Sequence, residues 1–279
     1  MGPMSVDSDW LVPIAIRLAR AGEISAQIQD AVKRYNESDA IEIEHVIRND
    51  RVTDLVLRIH RHPPARLALL VGEGVHQLRA ALDNLIVALA DQAAGVMLSP
   101  EEVRSLQFPI ADTPEKFNLQ ANRHLTGLPV VAVKRIEEVQ PYHLLDYVFG
   151  EPQAIRLEDE NLHRLRELSN HDKHRRINVL LHRPDHLAVH HSSAVPPVMK
   201  LNTGYVRDGD VVATVEVRSA ERIDVTTELA VVHPTTGRPA RLDALLSGLL
   251  WTVEMLVIPH ITGNRDVIGH PFLSRTGLD

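Results

Sequence analysis

The spacing of hydrophobic positions changes several times along the chain, and each change marks an element. Trp10, Ile14, Leu18, Ile24, Ile28 and Val32 recur at helical spacing, which predicts a first helix ending near Tyr35, with Asp7 and Ser8 able to cap its start. Gly22 weakens the middle of that helix, so two shorter helices are an alternative. The period then drops to two. Ile41, Ile43 and, past a turn at Asn49-Asp50, Leu55, Leu57 and Ile59 alternate with polar residues, the pattern of a β-hairpin over 40–60. Pro63-Pro64 stop it and lead into the longest helix.

That helix covers residues 66–94. Val71, Gly74, Leu78, Leu82, Leu85 and Leu89 fall within about 40° of one line on a helical wheel, an ordinary core stripe. Glu73, His76, Arg79 and Asp83 lie on the opposite side, among Ala80, Val87, Ala90 and Ala94 instead of the Lys and Glu expected of a solvated face. A helix apolar nearly all round, with one polar patch set into it, is expected to be buried. Its polar groups then need partners on other elements.

Further on, Ser99-Pro100-Glu101-Glu102 starts a short helix and Phe108-Pro109 ends that region. Residues 110–130 read as a loop with a helical turn at 114–119. Residues 131–139 read as a helix stopping at Gln140-Pro141-Tyr142, and 158–175 as another helix. Strands are expected at 177–181, 187–190, 198–206, 211–217 and 223–232, with Arg207-Asp208-Gly209-Asp210 as a hairpin turn. A Leu-rich helix carrying Trp251 closes the chain over 238–260. The order predicts an α+β protein: a helical bundle with an N-terminal β-hairpin and an antiparallel sheet in the C-terminal half, closed by a long helix. It is expected to form one domain over 1–262, with a helical core at 63–176, a β region at 177–232 and a loosely held tail at 263–279.

Composition narrows the function. With 279 residues, 44% hydrophobic and 24% charged, the chain can bury a sizeable core, built from aliphatic side chains because aromatics make up only 4%. There is no cysteine, which excludes disulfides, thiolate nucleophiles and Cys-based metal sites. No apolar run approaches the roughly 20 residues that span a bilayer, and the first residues do not form a secretory signal. A cytoplasmic protein without membrane partners is therefore expected. A net charge of −7 argues against broad electrostatic capture of nucleic acid, though not against a local basic patch. The long apolar C-terminal helix makes a homodimer an expected assembly.

Two further clusters carry chemistry. Asn170, His171, Asp172, Lys173, His174 and Arg175 offer acid, base and anion contacts at the end of a helix. A basic run there also complements the helix dipole. A purely structural account pairs Asp172 with Arg79, and His76 with Asp83 or a backbone carbonyl. At Gln140-Pro141-Tyr142, a Pro-fixed turn sets an amide beside a phenol, either to close a site or to stop a helix.

The combination Gly72-Glu73-x-x-His76-x-Leu78-Arg79-x-Ala81-Leu82-Asp83-Asn84-Leu85, then Gln140-Pro141-Tyr142, then Leu168-x-Asn170-x-Asp172-Lys173-His174-Arg175, resembles a group of uncharacterised actinobacterial proteins over most of the chain. The segment from Arg79 is also similar to the HEPN helical domains, many of which are metal-independent ribonucleases with an Arg-x4-6-His motif across a dimer interface. The resemblance implies binding or cleavage of RNA or a nucleotide, in defence or stress regulation. Arg79 and Lys173 would then hold phosphate, His76 and His174 would move protons, and Asp83 and Asp172 would orient the histidines. Glu73, Asn84, Gln140, Tyr142, Asn170 and Arg175 would serve binding. The chain departs from the motif at Asn84, which stands where such a nuclease carries its histidine.

Two other readings stand beside it. Glu73-x-x-His76 and Glu160-x-x-His163 have the spacing of di-iron or di-manganese carboxylate oxidases, with Glu23 and Glu254 available as further ligands. Alternatively, the chain is a non-catalytic ligand-binding or scaffold protein whose polar stripe is structural. Phosphate-binding loops, dinucleotide fingerprints, nucleophile elbows and His-Glu-x-x-His are absent from the sequence, which argues against the enzymes built on them.

Overall fold

The computed structural model describes residues 8–143, 161–173, 180–190, 196–216, 222–232, 237 and 239–263. Two long helices set the frame. α1 (Val12–Asn36) and α2 (Arg66–Ala94) lie antiparallel, since Arg17 meets Gln77, Arg20 meets Glu73 and Gln27 meets Arg66 in reverse order. Gly22 does not split α1. Ile14, Leu18, Ile24, Ile28 and Val32 are buried along its whole length, and that packing outweighs the roughly 1 kcal/mol a helical glycine costs. Gly95, in the left-handed conformation, ends α2.

Three shorter helices follow: α3 (Pro100–Val103), α4 (Pro114–His124) and α5 (Val130–Glu138). The expected loop at 110–130 is thus mostly helix. Thr113 caps it by accepting from the Lys116 amide, and the buried Phe117 anchors it. α6 (Asn161–Lys173) and α7 (Leu242–Thr262) complete the bundle, and α7 packs on α1, α2 and α6. A single wide turn at Thr252–Val257 lies just before Pro259 in α7, where a proline ring would clash with a regular helix. α7 is long and apolar enough to cross a membrane, alone in this among the described residues. Leu242, Leu246, Leu249, Val253 and Val257 spend that apolarity in the bundle core.

The sheets are assembled from both ends of the chain. β1 (Ile41–Ile47) and β2 (Val52–Ile59) form the expected hairpin, with Ile41 opposite Ile59. β3 (Leu180–His190) is one strand where two were expected, and β4 (Val198–Leu201) is shorter than the pattern suggested. β5 (Val211–Glu216), β6 (Arg222–Val232) and β7 (Pro239–Arg241) follow, and β7 takes the first residues expected of the closing helix. The strand orders are β1-β2-β5-β4 and β3-β6-β7. The N-terminal hairpin therefore does not stand apart from the C-terminal sheet. β2 has a second edge to satisfy, and β5 pairs with it antiparallel. Buried Asp54 on β2 accepts from Thr214 of β5 at 2.8 Å, directly across the register. Pro184 is tolerated because β3 is an edge strand.

Leu55, Leu57, Val206, Val212 and Val215 form a second core under the first sheet, with Leu187, Val189, Ile223 and Val225 from β3 and β6 packed against it. The architecture is α+β: a helical bundle with its own large core, joined to two antiparallel sheets facing one another across a smaller one.

Candidate functional site

The four polar residues of α2 have different fates. Arg79 is buried, and its guanidinium donates to the Phe108 carbonyl and stands 3.2 Å from Asp83. Asp83 in turn accepts from the Phe108 amide at 2.9 Å. Burial lowers the Arg79 pKa, and Asp83 works against that shift. Glu73 accepts from Arg20 Nε at 3.0 Å and Nη2 at 2.7 Å. His76 is exposed. The stripe expected to be buried as a whole is buried only at Arg79, where the chain folds over it; α1 supplies a partner for Glu73 instead. Asn84 is half-buried on the same helix.

The segment over Arg79 and Asp83 is an extended strap, residues 107–112, between α3 and α4. The chain grips it from three helices. Fully buried Gln140 donates to the carbonyls of Pro109 (3.1 Å) and Ile136 (2.9 Å) and accepts from the Ala111 amide at 2.9 Å. Arg166 of α6 donates to the Ile110 carbonyl at 3.2 Å and to Asp112 at 2.8 Å. His163 Nδ1 lies 2.9 Å from the same Asp112 oxygen, and Lys116 lies 3.2 Å from the other. Burial alone would raise the Asp112 pKa, but the hydrogen bonds from Arg166, His163 and Lys116 prevail and hold it at about 2. Gln140 thus acts as a satisfied buried amide, while Tyr142 donates to Glu137 at 3.4 Å, and burial with that neighbour pushes its phenol up to about 12.

Beside the strap opens a cavity of about 310 Å³. Arg79 and Asn170 both line it, so the α2 stripe and the beginning of the 170–175 cluster meet there. The α6 backbone runs through Asp172 and Lys173, but their side chains, and His174 and Arg175 altogether, lie outside the described residues. Arg166 and Ser169 line the cavity from α6, Gln107 from the strap, and Gln120 and His124 from α4. None of these five stands out by sequence pattern. Arg166 had one usable signal, its place three residues after His163 on a helix, which puts two donors on one face.

The electrostatics are balanced. Arg79 has Asp83, and Arg166 has Asp112 and Glu167, so neither guanidinium is an unopposed cation. His124 Nδ1 lies 2.8 Å from the Ser105 carbonyl, which can only accept, so its neutral ring keeps Nε2 as an acceptor. With three amides, a hydroxyl and an imidazole among its described lining residues, the cavity is dense in hydrogen-bonding groups, and the carboxylates that partner its two guanidiniums stand outside the lining.

The proposed metal ligands are placed differently. Glu73 is held by Arg20, His76 is exposed, His163 faces Asp112, and Glu160 lies outside the described residues. Of the further candidates, Glu23 pairs with Arg20, and Glu254 is half-buried on α7 with its pKa raised by desolvation. Among the described residues no three His, Asp or Glu side chains gather with the geometry of a metal site. In comparisons with known proteins, no family model, curated protein or solved structure matches this chain.

Proposed function

We propose that the chain is a binding protein for a nucleotide or nucleoside, held in the cavity between the strap, α4 and α6. The observation that carries this is the lining itself. Gln107, Gln120 and Asn170 each present both donor and acceptor atoms, the pairing that base edges require, and Ser169 and His124 add further partners for a sugar. Both guanidiniums in the lining, Arg79 and Arg166, already have carboxylate partners, which suits a base and ribose better than a bare phosphate. Of the two activities that the likeness to HEPN domains implies, binding is favoured over cleavage. Arg79 would have to abandon a backbone carbonyl and a carboxylate to reach a transition-state phosphate, and His76 is exposed outside this cavity.

Calorimetric titration with the four ribonucleosides and their monophosphates tests the reading. Saturable binding of at least one is expected, weakened about tenfold by Gln120→Ala or Asn170→Ala, a loss of about 1.4 kcal/mol each. In EDTA, wild-type protein is expected to leave RNA intact. Cleavage that disappears in Arg79→Ala while that variant stays folded would overturn the binding reading.

A further inference from the structure

A second concavity, of about 420 Å³, lies between the later turns of α1 and the start of α2, and none of its lining residues belongs to the strap cavity. On α2 the two sites come nearest at Leu70 and Arg79, about 13 Å apart along the axis and on opposite sides of the helix, so they are separate sites. Three guanidiniums stand round it: Arg34 on α1, Arg61 in the segment after β2, and Arg66 at the first position of α2. Asp30 is the one carboxylate in the lining, 3.2 Å from Arg34. Among the described residues Arg61 reaches the fully exposed Asp39, at 4.0 Å, and Arg66 reaches the Gln27 amide at 3.5 Å. Among the described residues three cations face one carboxylate in the lining, with Asp39 at the rim, within a chain whose net charge is −7.

Two features make this more than a cluster of surface arginines. The first turn of α2 carries no acidic residue and no side-chain cap, so its positive dipole end is left uncompensated beside Arg66. The wall is also fixed in place. Tyr35 Oη donates to the Arg61 carbonyl at 2.9 Å and lies 3.1 Å from His182 Nε2. Because the hydroxyl proton is committed to the carbonyl, Nε2 must carry its own hydrogen and donate. Backbone at Arg61 is thereby tied through α1 to β3. The floor is apolar, made by Ala31, Leu67 and Leu70.

We propose that this concavity binds a small phosphate monoester with an apolar or aromatic body, its dianion held by Arg34, Arg61 and Arg66 and its body lying on Leu67 and Leu70. A phosphate monoester carries about −1.5 to −2 charges at neutral pH, more than a carboxylate offers to three guanidiniums. Guanidinium forks arriving from three segments suit the three tetrahedral oxygens of a phosphate better than the planar pair of a carboxylate. The apolar floor demands a body as well as a head.

The test titrates the full chain with phenyl phosphate, inorganic phosphate, benzoate and benzyl alcohol, followed by calorimetry and backbone amide spectra. Phenyl phosphate is expected to saturate one site, with inorganic phosphate and benzoate each at least about tenfold weaker and benzyl alcohol not binding. Arg61→Gln and Arg66→Gln should each weaken phenyl phosphate about tenfold with an unchanged melting temperature, since both side chains are exposed. Asn170→Ala, in the other cavity, should leave that binding unaltered. Any of three results would overturn the proposal: no saturable phenyl phosphate binding, equal affinity for inorganic phosphate or benzoate, or indifference to both arginine changes.

Discussion

Arg79 shows how a side chain with a catalytic look can serve structure. It and Asp83 grip both backbone polar groups of one residue, the amide and carbonyl of Phe108. Arg79→Ala would leave that carbonyl and Asp83 without their cation, and a loss of about 2–4 kcal/mol in urea denaturation is expected. His76→Ala, three residues away but exposed, should change stability by less than about 0.5 kcal/mol. The wheel arithmetic found these residues but not their tasks, because their partners are backbone groups of an irregular segment, which leave no mark in side-chain pattern. Titration gives a second residue-scale expectation. Desolvation, aided by His62, holds buried His182 down to about 4, against 6.5 for an ordinary imidazole. Between those values the unfolded chain binds a proton that the folded chain does not, so stability falls as pH drops from about 6.5 to about 4. Asp112 acts lower, between its ordinary 3.8 and about 2, where protonation removes the stability of its ion pairs. Denaturation curves against pH should lose the upper slope in His182→Gln and the lower one in Asp112→Asn.

At the scale of elements, the approach of α7 to α2 depends on Gly74. A Cβ there would stand 2.3 Å from one Leu246 methyl carbon and 2.9 Å from the other, and Leu246 is itself buried in the core. Gly74→Ala should therefore destabilise by about 1–3 kcal/mol, although alanine is the better helix former by about 1 kcal/mol. In a Leu246→Ala background the same change should be neutral or stabilising, a sign reversal that a double-mutant cycle in urea would reveal. Elements themselves were largely legible. α2 follows the period read from Val71 to Leu89, and the first hairpin announced itself by alternation at Ile41, Ile43, Leu55 and Leu57. Where local pattern misled, packing or pairing with another element was responsible. α4 extends to His124 because Phe117 has a core to enter, and β7 replaces the start of the closing helix because Ala240 and Arg241 pair with β6.

The molecule as a whole is closed by its two ends. α1 and α7 enclose α2, and β2 waits for β5, so the segment read from the sequence as the helical core of the domain, residues 63–176, lacks two walls of its bundle. Expressed alone, that segment is expected to show helical circular dichroism without a cooperative thermal transition, while residues 1–263 melt as the full chain does. None of this long-range pairing was legible, since antiparallel partners more than 150 residues apart share no local signal. Of the eight described residues that line the candidate site, Arg79 and Asn170 were singled out in the sequence, while Gln107 and Gln120 were not. The β2–β5 pairing also has a consequence in time. On a ribosome adding about 5–20 residues per second, the hairpin would emerge some ten to thirty seconds before β5 can reach it. Throughout that interval β2 offers Leu55, Val56 and Leu57 beside an open hydrogen-bonding edge, so nascent-chain crowding, more than heat, is the hazard this topology creates for its own synthesis.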